Sequence, residues 1–314
     1  MNNLKLNLIK LTGAIALSCN FQIFAQQHSP SQEIQEESLD FFVIGDWGYA
    51  DSNQRNVAGA MAKNANGNSI NFIVSVGDNF YPNGVRSVRD KQWITTFENV
   101  YNHPSLQVNW YTALGNHDYM GKAKAQLKYN ERNERWKTTE RYFSFTQIIP
   151  GSTDSVLFVV IDTNPYDKSL NRFTSGLWLQ NKNAQLEWFE ETLAASTVKW
   201  KIVIGHHPLY TTGFRRGKMA PIRNIFYPYF EKYGVDVYLA GHDHDLQYQK
   251  PEGKTHYFVS GGGSEFRGVT RDSTITKFAA ASLGFMRLNL KEDSLNVRFF
   301  NENNQELYQT IILK

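Results

Sequence analysis

The sequence predicts an α/β protein, and three observations predict it. Strand-length apolar runs alternate with helix-patterned segments from residue 39 to 241, the signature of βαβ units and a largely parallel sheet. Beyond Leu246 the pattern changes to short strands separated by turns. The composition, 41% hydrophobic and 20% charged with no run of like charges, describes a chain able to bury a large core.

In order, LDFFVIG (39–45) precedes a helical pattern at Asn53–Lys63, INFIVSVG (70–77) one at Arg89–Tyr101, and VNWYTALG (108–115) one at Gly121–Arg135. The strands VLFVVID (156–162) and WKIVIG (200–205) bracket a helix at Gln185–Ala194, where Leu186, Phe189 and Leu193 recur at helical spacing. A further helix at Ile222–Tyr233 leads into VDVYLAG (235–241). The remaining strands are LQYQ, HYFVSGGG, LGFMRLNL, SLNVRFF and ELYQTIIL. Leu295, Val297 and Phe299 alternate with Asn296, Arg298 and Phe300, which points to a mixed or antiparallel closing sheet. No linker interrupts residues 39–314, so they are expected to form one domain.

Residues 1–25 carry Lys5 and Lys10, an apolar stretch from Leu11 through Leu17, and a small-residue end at Ala25, the order of a secretory signal. The apolar part is shorter than the roughly 20 residues a membrane span needs. Lipidation at Cys19 is the competing reading; the residues before it fit a lipid-attachment site poorly, and cleavage after Ala25 is preferred. A polar linker at 26–38 follows. Cys19 is the single cysteine, so an internal disulfide, a thiolate zinc site and a CxxC pair are all excluded. Together with the lack of any N-x-[ST] sequon, this favours an exported bacterial protein, periplasmic or secreted. A formal charge of +3 without a basic stripe argues against nucleic acid as a partner, and oligomeric state leaves no signal.

Five strands end in a glycine followed by metal-capable side chains: GDWG (45–48), GDNFY (77–81), GNHD (115–118), GHHP (205–208) and GHDH (241–244). The carboxyl ends of strands in an open α/β sheet form the crevice where ligands bind, so these blocks converge on one rim. Each block alone reads as an ordinary turn or helix cap. Together they offer Asp, Tyr, Asn and His, a mixed oxygen and imidazole set that suits Fe, Mn or Zn better than Ca or Mg. His28, His103 and His256 need no function.

The order GDWG, GDNFY, GNHD, VIGH and GHDH resembles the five-motif signature of the calcineurin-like metallophosphoesterases, and GDNFY resembles that of the purple acid phosphatases, of the small tartrate-resistant type. The resemblance runs from about residue 39 to 260. It implies two packed mixed β-sheets flanked by helices, in αββα layers. It further implies that Asp46, Tyr81 and His244 hold one metal ion, Fe(III). Asn116, His206 and His242 would hold a second, divalent ion (Fe, Zn or Mn), with Asp78 between the two. Phosphate monoesters would then be hydrolysed by direct in-line attack of a metal-activated hydroxide. His117 is the implied catalytic residue, steadying the phosphoryl charge or protonating the leaving oxygen.

Several neighbours leave alternatives open. Asp118 either orients His117 or caps the next segment. His207, beside His206, is a candidate substrate-binding residue or a wall of the pocket. Asp243 should point away from the ions if 242–244 is extended, as a hydrogen-bond partner. Arg215 stands where mammalian members have a further histidine; arginine clamps phosphate but does not exchange protons at ordinary pH. The cysteine-free segment Asn164–Asn183 replaces their disulfide-bearing regulatory loop, so proteolytic activation is not expected. Two other functions compete: a related metallophosphoesterase acting on phosphodiesters or nucleotides, and a catalytically inactive secreted binding protein.

Overall fold

The computed structural model describes residues 38–66, 69–168, 177, 180–271 and 274–314. The expected leader, Cys19 and nearly all of the polar linker lie outside them, as do residues 169–176 and 178–179 of the Asn164–Asn183 segment.

Parallel strands form first along the chain: β1 (Leu39–Ile44), β2 (Phe72–Ser75) and β3 (Asn109–Thr112) pair side by side. They are followed by β4 (Phe143–Ile148), β5 (Ser155–Val160), β6 (Trp200–Ile204), β7 (Val237–Ala240), β8 (Leu246–Gln249), β9 (His256–Ser260) and β10 (Thr276–Ala280). The chain closes with β11 (Gly284–Leu290), β12 (Ser294–Asn301) and β13 (Glu306–Leu313). The strands sort into two mixed sheets, β13-β12-β11-β1-β2-β3 and β10-β8-β9-β7-β6-β5-β4.

Period-two alternation places the layers. Phe41 and Val43 of β1 enter the core between the sheets, with Val156, Phe158 and Val160 of β5 and Leu288, Val297 and Phe299 of the closing strands. Phe158 meets Phe41 and Phe72 edge-on, each at 5.4 Å, which locks one sheet against the other. Phe42 and Ile44 face the opposite side, where α1 (Ser52–Ala65) packs. The outer face of the second sheet is covered by α4 (Lys182–Ala195) and α5 (Ala220–Tyr233). These are the αββα layers implied above.

Local signals explain the three long helices. Asp51 caps α1 by accepting from the Gln54 N–H at 2.8 Å, and Asn181 caps α4 through the Ala184 N–H at 3.1 Å. Buried residues recur every fourth position in α4 (Gln185, Phe189, Leu193) and in α5 (Ile222, Phe226, Phe230). Gly234 ends α5 in the left-handed conformation, φ 64°. Among the described residues no helix is long and apolar enough to cross a membrane.

Two expectations are corrected. Arg89–Tyr101 yields only a π-helical stretch, Trp93–Glu98, and Gly121–Arg135, which follows the short α2 (Asn116–Met120), breaks into α3 (Ala123–Leu127) and a 3-10 turn at Tyr129–Glu131. The apolar spacing in both segments belongs to an aromatic cluster rather than to a helix face. Phe300 lies on the face opposite Leu295, Val297 and Phe299, as the alternation expects, and is buried there because its ring stacks on Phe285 at 5.6 Å within the cluster that covers the outer face of the sheet. Strands β4 and β10, both at sheet edges, are additions to the expected set.

Candidate metal centre

All five glycine motifs follow directly on parallel strands: two on β1 and β2, one on β3, and two on β6 and β7. The close approach of these turns explains their glycines. A Cβ on Gly115 would overlap the Asp78 carboxylate, and one on Gly241 would overlap that of Asp46. Asp46 (φ 56°), Asp78 (φ 53°) and His242 (φ 68°) each adopt the left-handed conformation, which costs roughly 1–2 kcal/mol per residue. Strained backbone of this kind persists where function demands a particular side-chain position.

Each carboxylate is tied down by a backbone N–H on one oxygen and turns the other into the cluster. Asp46 accepts the His242 N–H on Oδ2 at 2.9 Å, and Asp78 accepts the His117 N–H on Oδ1 at 2.8 Å. The remaining oxygens meet the Tyr81 hydroxyl, Asp46 Oδ1 at 3.2 Å and Asp78 Oδ2 at 2.8 Å. His244 Nε2 lies 3.2 Å from that hydroxyl and 3.4 Å from Asp46 Oδ1. On the other side, His206 Nε2 lies 3.1 Å from Asn116 Oδ1, 3.1 Å from His242 Nδ1 and 3.5 Å from Asp78 Oδ2. All seven groups are buried.

The protons on the two outward nitrogens make this donor set fit a cation. His206 Nδ1 lies 3.0 Å from the Val76 carbonyl, which can only accept, so its proton sits there and Nε2 presents a lone pair. His244 Nδ1 lies 2.9 Å from Glu265 Oε2, which holds a proton on that nitrogen; against burial, Asp46 and Glu265 raise the imidazole above its ordinary range, and a bound cation would displace any proton from Nε2. Burial, with His207 and His206 beside it, drives the His242 imidazole well below its ordinary range, so it is neutral. Burial and the charges of Asp78 and Asp46 push the Tyr81 phenol well above its usual range; a bound cation is what would turn it into a phenolate. Potential ligand atoms thus converge around two adjoining positions, and Asp46, Asp78 and His206 offer ligand atoms all within 4.8 Å of one another.

A model of the calcineurin-like phosphoesterase family matches residues 39–246. Purple acid phosphatase 17 of Arabidopsis thaliana is 33% identical over 339 aligned positions, covering 100% of this chain and 98% of that protein. The chain belongs to the purple acid phosphatases. Tartrate-resistant acid phosphatase type 5 of Oryctolagus cuniculus is 31% identical over 91% of this chain and 94% of its own length. Among solved structures, GAP50, the anchor in the inner membrane complex of Plasmodium, shares the fold with a TM-score of 0.78 at 21% identity, over 88% of this chain and 89% of that one. As a purple acid phosphatase the chain is a metal-dependent acid phosphatase, and membership implies a binuclear metal centre.

The residues around the centre of this phosphatase fall into three groups. His117 stands at its open side, with Nδ1 held 2.6 Å from the Pro82 carbonyl and its ring 4.3 Å from that of Tyr81. Asp118 is resolved as a cap: it accepts N–H groups of Gly115 (2.8 Å), Asn79 (3.1 Å) and Phe80 (3.2 Å) and the Gln126 amide (2.8 Å). Burial and nearby Asp78 push its carboxyl up to about 7, against the pull of those donors. Asp243 is a hydrogen-bond partner as expected, to the Thr211 hydroxyl and the Arg215 N–H (2.9 Å), although the reason differs. His242 is left-handed, so 242–244 turns rather than extends.

His207 is wholly buried, with Nδ1 at Thr163 Oγ1 (2.7 Å) and Nε2 at Asp167 Oδ2 (3.2 Å). Both nitrogens are engaged within the protein, and of the two readings open for it this arrangement favours the wall; its ring backs that of His242 at 4.3 Å. Arg215 does line a pocket of about 190 Å³ beside His242, with Tyr166, Asp167 and Lys218. Glu265, Tyr49 and Asp167 were missed as neighbours of the site. Glu265 follows β9, which is parallel to β7, so the same strand-end reasoning extended past GHDH reaches it.

Proposed function

We propose that this chain is an exported acid phosphatase that hydrolyses phosphate monoesters at a two-metal centre. Fe(III) would be held by Asp46, Asp78, Tyr81 and His244, and a divalent ion (Fe, Zn or Mn) by Asp78, Asn116, His206 and His242. The observation that carries this reading is the convergence of seven acceptor atoms, two of them on imidazoles whose outward nitrogens hold the protons. A phenol and two carboxylates favour a trivalent ion; an amide and two imidazoles suit a divalent one.

When bound, the ions supply the positive charge that grips the ester and activates water for in-line attack on phosphorus. Asp78, braced by the His117 N–H, holds one oxygen between the two halves of the site. His117, fixed through Nδ1, presents Nε2 to the phosphoryl or leaving oxygen. Arg215, at the pocket wall, clamps the anionic substrate without exchanging protons. Export rests on the order of charged, apolar and small residues at 1–25.

The test is metal analysis with a visible spectrum, followed by turnover of a mono- and a bis-nitrophenyl phosphate. Iron, a tyrosinate colour lost in Tyr81→Phe, and preference for the monoester are expected. Preference for the diester would transfer the chain to the phosphodiesterase reading. A metal-loaded protein inert towards every phosphate ester would sink the enzyme.

A further inference from the structure

Beyond the seven converging groups, Tyr81 and His244 share an outer support. Glu265 Oε2 faces His244 Nδ1 at 2.9 Å and accepts the Tyr49 hydroxyl at 3.2 Å. Arg267 reaches the same oxygen at 3.3 Å from its guanidinium, and its own N–H donates to the His244 carbonyl at 2.7 Å. The Tyr49 ring lies flat on that of Tyr81, centroids 4.0 Å apart and planes 12° from parallel. One carboxylate and one ring therefore touch the two side chains assigned to a single metal position, and neither touches the other position's residues.

We propose that Glu265 and Tyr49 are positioning residues for the Tyr81–His244 position, Glu265 through the His244 imidazole and Tyr49 through the Tyr81 ring. The inference rests on the ferric centre proposed above. A carboxylate on the outer nitrogen of a ligating imidazole fixes its tautomer and strengthens its donation to the metal. The stacked ring limits swing of the Tyr81 phenol about its side-chain bonds. The Tyr49 hydroxyl, donating to Glu265 Oε2 at 3.2 Å, ties the ring and the carboxylate into one unit. Tyr49 and the Glu265 carboxylate are 40% and 41% exposed, which leaves both open to substitution without disturbing the core.

The experiment compares the metal-loaded protein with Glu265→Gln, Tyr49→Phe and Tyr49→Ala by the tyrosinate absorption band and by the rate of iron loss to a chelator. Weaker donation from His244 leaves iron more electron-poor, so Glu265→Gln should move the band to longer wavelength and weaken iron retention about 10- to 100-fold. Tyr49→Phe, which removes a competing donor from Glu265, should give a smaller shift to shorter wavelength, and Tyr49→Ala a broader band. The divalent ion should be retained as in the parent. A band and iron retention unchanged in both Glu265→Gln and Tyr49→Ala would overturn the inference while leaving the ferric centre standing. Should Glu265→Gln not fold, Tyr49→Ala decides alone by the same readouts. A parent protein with no tyrosinate band would overturn the ferric reading and this inference with it.

Discussion

The outer faces of the two sheets are covered by different means. Over the second sheet lie two regular 14-residue helices, whose Phe189, Phe226 and Phe230 fill the space beneath them. Over the first sheet only α1 is comparably regular. The rest is irregular chain packed around four fully buried tryptophans, Trp47 against Trp110 and Trp93 against Trp136, the two pairs joined through Phe80 and Phe97, with Tyr129 stacked on Trp93. That irregular face is the one whose connections carry Tyr81, Asn116 and His117. Backbone that must bring side chains to an ion from several directions cannot follow one long helix, and Asn116 and His117 open only the five-residue α2; large rigid rings supply the stiffness that a longer hydrogen-bond ladder otherwise would. Trp47 makes the link directly: its indole N–H donates to Ser75 Oγ at 2.8 Å, and Ser75 donates to Asn79, next to Asp78.

The contrast can be broken most sharply at Asp78. Asp78→Ala should lower kcat/KM by at least about a thousandfold, or about 4 kcal/mol of transition-state stabilisation, in steady-state assays with metal in excess. Next come paired truncations, Trp47→Ala on the aromatic face and Phe226→Ala on the helical face. Each should cost about 3–5 kcal/mol in denaturant unfolding. Only Trp47→Ala should shed metal well before its unfolding midpoint; equal metal retention in the two would refute the division of labour. Asp118→Ala, which strips the cap from Gly115, Asn79 and Phe80, should cost about 1–3 kcal/mol and lower metal occupancy as well.

The smallest effect lies in the second sheet, away from the centre. Burial, with Lys250 adding to it, lowers the His256 imidazole to about 4 from an unfolded value of about 6.5. Between those values the unfolded chain binds the proton and the folded one does not. Stability is therefore whole above pH 6.5 and falls as the pH drops towards 4, by about 1–2 kcal/mol after allowing for partial exposure. His256→Gln should flatten that slope in unfolding measured from pH 7 to 4. An unchanged slope would place the acid sensitivity elsewhere.

The same contrast decides what was legible in the sequence. Leu186, Phe189 and Leu193 announce α4 because a helix on a sheet repeats its buried face every turn. The segments at 89–101 and 121–135 show comparable apolar spacing, yet their rings pack on one another, which periodicity cannot distinguish. Strand β4 alternates half-buried and exposed residues at a sheet edge, a weaker pattern than the continuous apolar run of β5. The seven converging groups were readable because each follows a strand end. Glu265, Tyr49 and Asp167 act through another side chain, and such contacts exist only in the folded arrangement.

The origins of the seven groups set an order of events during synthesis. Asp46, Asp78, Tyr81 and Asn116 extend from the first sheet, whereas His206, His242 and His244 follow strands of the second. A nascent chain that has emerged only as far as Ala195 carries every one of the oxygen donors and none of the imidazoles. On the ligand set proposed above, neither ion position is complete until the second sheet has been made, so metal uptake is expected to report the docking of the two sheets.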